Sequence, residues 1–295
     1  MSRFVVVGDL MTDVVARVMG PVTLGMDTPA WVDSYGGGSG ANVAAWLGIQ
    51  GEHVVYVARR GPDVVGRTRE MELLGYGIDP RVVMDQARPT GTCVVIVGER
   101  GDRSQFPDPG ANAALRPEDI PPDVFDQDTH LHLSGFPLAH EGGRDGAMTA
   151  MSYAIERGST VSLDTPSVPL LERLGGDTFL GLARGGTLLV ANKAEASFLS
   201  GEYDTYAAAR ALTKHFPHVV VTEGSSGAVW TANGENPVHC PAHQVEVVDP
   251  TGAGDAFCAG FLPHWRAGSP PTDALAAGAA LAARVLVQTG ARPTD

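Results

Sequence analysis

The chain has 295 residues and carries 21 Lys and Arg against 34 Asp and Glu, a formal net charge of −13 at pH 7. This acidic balance, without a run of basic residues, argues against a nucleic acid or an anionic membrane surface as the partner. The three cysteines are far apart in the chain, which argues against a disulfide framework or a Cys-rich zinc site.

Apolar runs with the length of strands alternate with helical patterns along the chain, which is long enough to bury one large core. The predicted core strands lie at residues 4–7, 54–57, 131–133, 160–163, 188–190 and 219–221. The predicted helices lie at residues 41–49, 64–74, 142–157, 204–215, 254–266 and 272–287. This order predicts an α/β fold with a mostly parallel central sheet, helices on both faces, and ligands bound beyond the carboxyl ends of the strands.

Two segments, at residues 12–35 and 81–107, interrupt the alternation with short strand patterns that follow one another without helices. We predict that they form a small β-sheet lid on a single domain that spans residues 1–295. The aromatic candidates for the inner face of this lid are Trp31, Tyr35 and Phe106.

The sequence gives no sign of a targeting or membrane-spanning segment. Phe4–Val7 is too short for the apolar region of a signal peptide. The longest apolar stretch, at residues 274–287, contains Arg284 and is shorter than a membrane span. We therefore expect a cytoplasmic protein without a membrane partner.

The most informative segment is residues 248–257, V-D-P-T-G-A-G-D-A-F. Residues 245–248 alternate like the end of a strand and a helical pattern follows, so Gly252–Gly254 is predicted at a helix N-terminus. Free N–H groups and the helix dipole favour a phosphoryl group there, and Asp255 suits a base that deprotonates an alcohol. The alternative is that Asp249 and Asp255 cap the helix while the glycines only form a turn.

A second glycine cluster, G-G-G-S-G-A-N at residues 36–42, also opens a predicted helix, and we expect the two helix starts to face one pocket. With both motifs, the chain resembles the ribokinase or PfkB family of carbohydrate kinases. The family signatures G-G-x-x-x-N and D-x-x-G-A-G-D are matched by Gly37–Asn42 and Asp249–Asp255. Further family positions follow in the same order at Val7–Asp9 with Asp13, Asn192–Glu195, Thr222–Gly227 and Gly290–Ala291.

The resemblance implies a ribokinase-like three-layer α/β/α core, a lid that covers the substrate and carries a homodimer contact, and ATP with Mg²⁺ as cofactors. It also implies roles for individual residues. The general base would be Asp255, and the anion hole would consist of Gly252, Ala253 and Gly254. The residues that bind substrate hydroxyls would be Asp13, Gly38, Ser39 and Asn42.

For the nucleotide, the resemblance implies contacts from Thr222, Gly224 and Gly227. Asn192 and Glu195 would organise the hydrated Mg²⁺ through bound water, although their spacing is also that of a helix capping box. Some relatives bind K⁺ at the positions of Asp249, Thr251 and Gly290, which makes these residues a candidate K⁺ site.

These features predict an ATP-dependent phosphotransferase that moves the γ-phosphoryl group to a hydroxyl, expected to be a primary alcohol, of a sugar or sugar-like substrate. A nucleoside kinase of the same fold is an alternative. Ser39 stands where ribokinases often carry Lys, and Leu133–Phe136 lacks the acid that ribokinases can place there. Asp164–Val168 also lacks the Arg that is typical of acidic-sugar kinases.

Two further alternatives belong to other functional classes. An NADP-linked oxidoreductase is suggested by the pattern G-x-G-x-x-A at residues 36–41 and by Arg59-Arg60 in the next strand, but it gives the C-terminal turn no role. A sugar or nucleotide sensor without catalytic activity is the other, because a fold does not guarantee activity.

Overall fold

The computed structural model describes residues 3–98 and 102–294, which form two β-sheets and a set of helices. The strands are β1 (Arg3–Val7), β2 (Met11–Val18), β3 (Ala30–Gly37), β4 (His53–Arg60), β5 (Asp79–Met84), β6 (Gly91–Val97), β7 (Arg103–Asp108), β8 (Thr129–Leu133), β9 (Thr160–Asp164), β10 (Leu188–Asn192), β11 (His218–Thr222), β12 (Ala228–Ala232) and β13 (Val238–Cys240). The helices are α1 (Ser39–Ile49), α2 (Val64–Gly75), α3 (Gly135–Ala139), α4 (Glu141–Glu156), α5 (Val168–Leu174), α6 (Gly176–Leu182), α7 (Lys193–Ser200), α8 (Thr205–Leu212), α9 (Ala253–Arg266) and α10 (Pro271–Leu286). In the two described ranges, none of these helices combines the length and the apolarity that crossing a membrane requires.

The larger sheet has nine strands in the order β13-β12-β11-β10-β9-β8-β1-β4-β5. Neighbouring strands run parallel from β5 to β11, whereas β12 and β13 are antiparallel additions at one edge. Parallel strands end at the same edge of a sheet, so β1, β8, β9 and β10 direct Val7, Leu133, Asp164 and Asn192 to one side of the molecule. The predicted α/β class with a mostly parallel sheet is confirmed.

Both faces of the larger sheet are buried under helices. Val5 and Leu131 lie in a core cluster with residues of α4 to α8, and Phe4 and Val54 lie in a second cluster with residues of α1, α2, α9 and α10. Successive residues of a strand point to opposite faces of the sheet, and on both faces their side chains pack against helices. This explains why these strands are continuous apolar runs. The three layers are therefore helices, sheet and helices, as predicted.

The smaller sheet has the order β3-β2-β6-β7, in which β2 and β6 are parallel and the two outer pairs are antiparallel. Its strands come from the two segments that we predicted to form a lid, and we call this sheet the lid. In the second segment, the first strand of the lid begins at residue 91 and not at residue 81, because Asp79–Met84 pairs with β4 in the larger sheet. Residues 99–101 of the same predicted segment lie outside the described residues.

The strand register divides the side chains of the lid between two faces. Tyr35 is the register partner of Asp13, and Trp31, four residues earlier in β3, points to the same face of the sheet. We call this the inner face, and it carries a small apolar cluster that includes Tyr35. Phe106 pairs with Val94 on the opposite, outer face, where its side chain is 57% exposed. The prediction that Phe106 lines the inner face is therefore wrong, because the register turns it outward.

The residues before the C-terminal turn do not form the predicted strand end. Residues 241–247 have no regular secondary structure, and Val247 and Val248 are 54% and 51% exposed. Residues 245–248 pair with no strand of either sheet, and the N–H of Val248 donates instead to the carbonyl of Leu286 in α10 at 2.8 Å.

A close contact between glycines brings helix α1 against the end of β1. Gly38 has φ +94°, a conformation that favours glycine, and it turns the chain from β3 of the lid into α1. A Cβ added at Gly40 would lie 2.7 Å from the Cα of Gly8, which follows β1 directly. The absence of both side chains therefore lets α1 start at the carboxyl edge of the larger sheet.

We predict that Gly40→Ala lowers the free energy of unfolding by about 1–3 kcal/mol, because the added methyl group meets backbone that cannot move aside cheaply. Helix propensity alone predicts the opposite sign, since Ala is favoured over Gly inside a helix by about 1 kcal/mol. Gly75→Ala in α2 is the matched control, because a Cβ there meets nothing within 4 Å. Urea denaturation followed by circular dichroism measures both variants, and a Gly40→Ala midpoint at or above that of Gly75→Ala would contradict the close contact.

Candidate active site

The C-terminal glycine turn forms the N-terminus of helix α9. Gly252 is the residue before the helix, with φ +80°, and a Cβ there would lie 2.5 Å from the Cβ of Ala291. The N–H of Ala253 donates to the carbonyl of Pro250 at 3.3 Å. In the described part of the chain, the N–H groups of Gly254 and Asp255 have no acceptor, and a Cβ at Gly254 would meet open space. An anion can therefore approach two free N–H groups at the positive end of the helix dipole.

The start of helix α1 holds the carboxyl group of Asp255. The Ser39 hydroxyl donates to Oδ1 of Asp255 at 2.8 Å, and the Asn42 amide donates to Oδ2 at 2.8 Å. These residues are more than 200 positions apart in the chain, so the fold brings the two helix starts together as predicted. The Oδ1 atom of Asn42 is buried and has no hydrogen-bond partner among the described residues, which leaves an acceptor available for a ligand hydroxyl.

Burial raises the pKa of Asp255 to about 7, although hydrogen bonds from Asn42 and Ser39 oppose this shift and the charge of Asp164 adds to it. The Ser39 hydroxyl also lies 2.7 Å from Oδ2 of Asp164. A hydroxyl has one hydrogen and can donate it to one carboxylate at a time. The Ser39 hydroxyl therefore lies within hydrogen-bond distance of both carboxyl groups and links Asp164 to Asp255.

Two acidic residues of this cluster were not among the sites predicted from the sequence. Asp164 ends β9, and its Oδ1 accepts the N–H of Gly135 at 2.6 Å. Asp9, which is 3% exposed, follows the end of β1, and burial together with the charge of Asp164 raises its pKa to about 7. Each acid comes at or just after the end of a buried strand, where ligand-binding residues of α/β folds lie, and Asp9 also falls within a segment that follows the family order.

Asp13 lies on the inner face of the lid against the glycine patch. A Cβ added at Gly37 would collide with the Asp13 carboxyl group, so the glycine lets this acid approach the backbone. Burial raises the pKa of Asp13 to about 6, while Arg292 opposes the shift. Arg292, a residue that our sequence analysis missed, is 6% exposed and donates to the carbonyl of Gly37 at 2.9 Å and to Glu72 at 2.9 Å. Asp13, Gly38, Ser39 and Asn42 thus surround the same region as Asp255.

Asn192 and Glu195 form the capping box that was the structural alternative for their spacing. The Asn192 side chain accepts the N–H of Glu195 at 3.0 Å, and the Glu195 carboxyl accepts the N–H of Asn192 at 2.9 Å. The hydroxyl of Thr165 donates to the same carboxyl group. Burial raises the pKa of Glu195 to about 7, and the charge of Asp164 contributes to the shift. The cap and a ligand role are compatible, because the cap orients the carboxyl group at the carboxyl edge of the sheet.

Thr222, Gly224 and Gly227 form a turn beside this capping box. Thr222 ends β11 and is the register partner of Asn192 in β10, so the two ends are adjacent. Gly224 and Gly227 have φ values of +57° and +104°, which glycine adopts without strain. Glu223 in the turn accepts a hydrogen bond from Lys193 at 3.0 Å, which ties the turn to α7.

The basic residues that suggested NADP binding are already engaged elsewhere. Arg59 is buried in ion pairs with Asp85 at 2.9 Å and Asp119 at 2.6 Å, and Arg60 pairs with Glu70 at 2.7 Å. The glycine pattern at residues 36–41 begins at the end of β3, which belongs to the lid and not to the parallel sheet. The dinucleotide fingerprint therefore lacks the parallel βαβ unit that it requires.

The three residues of the candidate K⁺ site also come together, but with an arginine beside them. Oδ1 of Asp249 accepts the N–H of Thr251 at 2.8 Å, and Oδ2 accepts the N–H of Gly290 at 3.2 Å. Nη1 of Arg103, from strand β7 of the lid, lies 2.6 Å from Oδ1 of Asp249 and also contacts the hydroxyl of Thr251. Arg103 was not among the site residues predicted from the sequence.

The chain matches a family model and is similar to several known proteins. A family model described as pfkB family carbohydrate kinase matches residues 1–295. An uncharacterised sugar kinase from Archaeoglobus fulgidus is 30% identical over 246 residues, covering 83% of this chain and 95% of the relative. A fructokinase from Klebsiella pneumoniae is 33% identical over 238 residues, covering 77% of this chain and 75% of the relative. The crystal structure of adenosine kinase from Sinorhizobium meliloti superposes with a TM-score of 0.89 at 25% identity, covering 100% of this chain and 96% of that one.

Proposed function

This chain belongs to the pfkB family of carbohydrate kinases, and we propose that it transfers the γ-phosphoryl group of ATP to a primary hydroxyl group of a neutral sugar or sugar-like substrate, with Asp255 as the general base. The observation that carries the proposal is the position of the Asp255 carboxyl group. It lies in the first turn of α9, beside free N–H groups, and is held by Ser39 and Asn42 from α1.

In the proposed mechanism, the oxygen of the acceptor hydroxyl attacks the γ-phosphorus while Asp255 takes the hydroxyl proton. The bond between the γ-phosphorus and the oxygen of ADP breaks at the same time. The N–H groups of Gly254 and Asp255, at the positive end of α9, stabilise charge on the transferred phosphoryl group, and the Gly252-Ala253 turn sets their direction. The hydrogen bonds from Ser39 and Asn42 hold the carboxylate in position before the substrate binds.

For the acceptor, we propose that Asp13, Gly38, Ser39 and Asn42 line the substrate site. Support comes from the unpartnered Oδ1 of Asn42 and from the Asp13 carboxyl group, both of which can accept hydrogen bonds from adjacent hydroxyls. The cluster of Asp9, Asp13, Asp164 and Asp255 would repel an anionic group, which favours a neutral polyhydroxylated substrate.

A nucleoside is the second candidate for the acceptor. Trp31 and Tyr35 lie on the inner face of the lid with Asp13, and Trp31 is 69% exposed. An exposed aromatic ring on that face could stack against a nucleobase. The similarity to an adenosine kinase structure supports the same candidate.

For the nucleotide, we propose that the turn formed by Thr222, Gly224 and Gly227 contacts ATP, and that Asn192 and Glu195 hold Mg²⁺ through water. Within residues 3–98 and 102–294, no group of three or more His, Cys, Asp or Glu side chains is arranged to hold a metal ion. The carboxylate and amide oxygens of this pair suit a hard cation that keeps most of its waters. Bound Mg²⁺ would neutralise charge on the phosphate oxygens.

The proposal is tested by incubating the protein with ATP, with or without Mg²⁺, and a panel of neutral sugars, acidic sugars and nucleosides. ADP release together with a phosphorylated product is expected for a neutral acceptor and only with Mg²⁺. Binding of a ligand without turnover would instead favour the inactive sensor. The cytoplasmic location expected from the sequence stays a prediction.

We predict that Asp255→Asn lowers kcat by at least about a hundredfold and leaves the affinity for ATP within a few fold, because the amide cannot accept the proton. Steady-state kinetics and equilibrium binding of ATP measure the two effects. Asp273→Asn is the matched control, since Asp273 is also in the first turn of a helix but is exposed on α10. Turnover within a few fold of the parent would remove Asp255 from the mechanism.

We also predict that kcat/KM falls as the pH drops below about 7, because burial raises the pKa of Asp255 to about 7 and the base acts in its ionised form. Asp164→Asn removes a charge that contributes to this raised pKa, so the acidic limb should move to lower pH. A pH effect that comes from the titration of ATP would be the same in the parent and in Asp164→Asn, so a difference between them must come from the protein. An acidic limb at the same pH in both proteins would contradict the coupling between Asp164 and Asp255, and a parent profile that stays flat from pH 8 to pH 5 would contradict Asp255 as the base.

For the assembly, we propose a homodimer through the outer face of the lid, where Val32, Val94 and Phe106 are 62%, 40% and 57% exposed. Covering such an apolar face is favourable. Sedimentation equilibrium should give a dimer that Val94→Lys dissociates. Val64→Lys, at an exposed valine of α2, is the control that should remain dimeric. A monomeric parent protein at micromolar concentration would refute the proposal.

A further inference from the structure

Arg103 makes a buried ion pair between the lid and the turn that precedes helix α9. It is the first residue of strand β7, and its side chain is 13% exposed, while that of Asp249 is 3% exposed. The guanidinium contacts both the Asp249 carboxyl group, at 2.6 Å, and the hydroxyl of Thr251. A charge-assisted hydrogen bond in such a buried place is stronger than one at the surface.

Asp249 is the centre of the polar contacts that hold the turn. Its two carboxyl oxygens accept the N–H groups of Thr251 and Gly290, and Thr251 is followed directly by Gly252, where α9 is capped. Burial alone would raise the pKa of Asp249, but the hydrogen bonds from Arg103, Thr251 and Gly290 bring it below its usual value. The guanidinium of Arg103 is the positive charge that lies directly against this buried carboxyl group.

With Arg103 in place, the surroundings of Asp249 do not fit a K⁺ ion. A cation there would need oxygen atoms that no other positive charge already occupies. The guanidinium of Arg103 already lies against Oδ1 of Asp249 and the hydroxyl of Thr251. A monovalent cation bound to the same two oxygens would meet the charge of Arg103 at short range.

We propose that Arg103 supplies from the lid the positive charge that a monovalent cation would supply at Asp249, and that it thereby positions the N-terminal turn of α9. The proposal rests on the proposed kinase function for its effect on catalysis. Arg103 is a positioning residue, because it acts through Asp249 and Thr251 and not on the substrate. Two consequences follow: phosphoryl transfer does not depend on K⁺, and the geometry of the turn depends on the position of the lid.

The first test needs only the parent protein, assayed in K⁺ and in tetramethylammonium salts of equal ionic strength. The activities are expected to agree within about twofold, because Arg103 supplies the charge. Activation of the parent by K⁺ of tenfold or more would overturn the proposal.

The second test uses Arg103→Met, which keeps much of the side-chain length and removes the charge. Without K⁺, kcat is expected to fall by at least about tenfold, because the turn loses its position. Addition of K⁺ or guanidinium should restore a large part of kcat, whereas a merely structural loss would not respond. Arg103→Lys should retain most of the activity. Arg17→Met is the matched control on the same face of the lid and should behave like the parent.

Thermal unfolding gives a readout that does not require kinase activity. K⁺, compared with tetramethylammonium, should raise the Tm of Arg103→Met by about 2–4 °C and leave the parent unchanged. If the parent turns over no acceptor but this difference appears, the proposed function fails and the role of Arg103 stands. If Arg103→Met shows neither loss of activity nor stabilisation by K⁺, the role of Arg103 fails while the kinase function stands.

Discussion

The meeting of two helix N-termini on one carboxyl group organises the rest of the structure. Asp255, in the first turn of α9, accepts hydrogen bonds from Ser39 and Asn42 at the start of α1, with both distances at 2.8 Å. These bonds are possible because α1 starts against the end of β1, where neither Gly8 nor Gly40 has a side chain. The close approach of Gly40 to Gly8 therefore also determines where the candidate base is held.

This arrangement collects negative charge in a region where burial already disfavours it. Burial raises the pKa of Asp9, Asp255 and Glu195, and the charge of Asp164 adds to each of these shifts. The cluster is destabilising to the empty protein when ionised, since each raised pKa means that folding favours the protonated form. A carboxyl group whose pKa is near neutrality is, however, suited to exchange protons with an alcohol at physiological pH.

Several glycines of the two motifs are needed for the close contacts and the backbone turn that they permit. A side chain at Gly37 would collide with Asp13, one at Gly252 would meet Ala291, and Gly38 has a positive φ. The Asn192 and Glu195 pair shows a similar overlap, since the capping box that fixes the start of α7 also orients the Glu195 carboxyl group. Structural and functional interpretations of these motifs are therefore complementary here.

Local sequence patterns were enough to predict the core strands, most of the helices and the two helix starts, because apolar periodicity and glycine turns are local properties. The contacts across long separations, such as Asp164 with Ser39, Arg292 with Gly37, and Arg103 with Asp249, could be seen only in the folded chain. The same holds for residues 245–248, which have no partner strand, and for Phe106, which points outward. Pairing and register depend on neighbours elsewhere in the fold, and a local pattern contains no information about those neighbours.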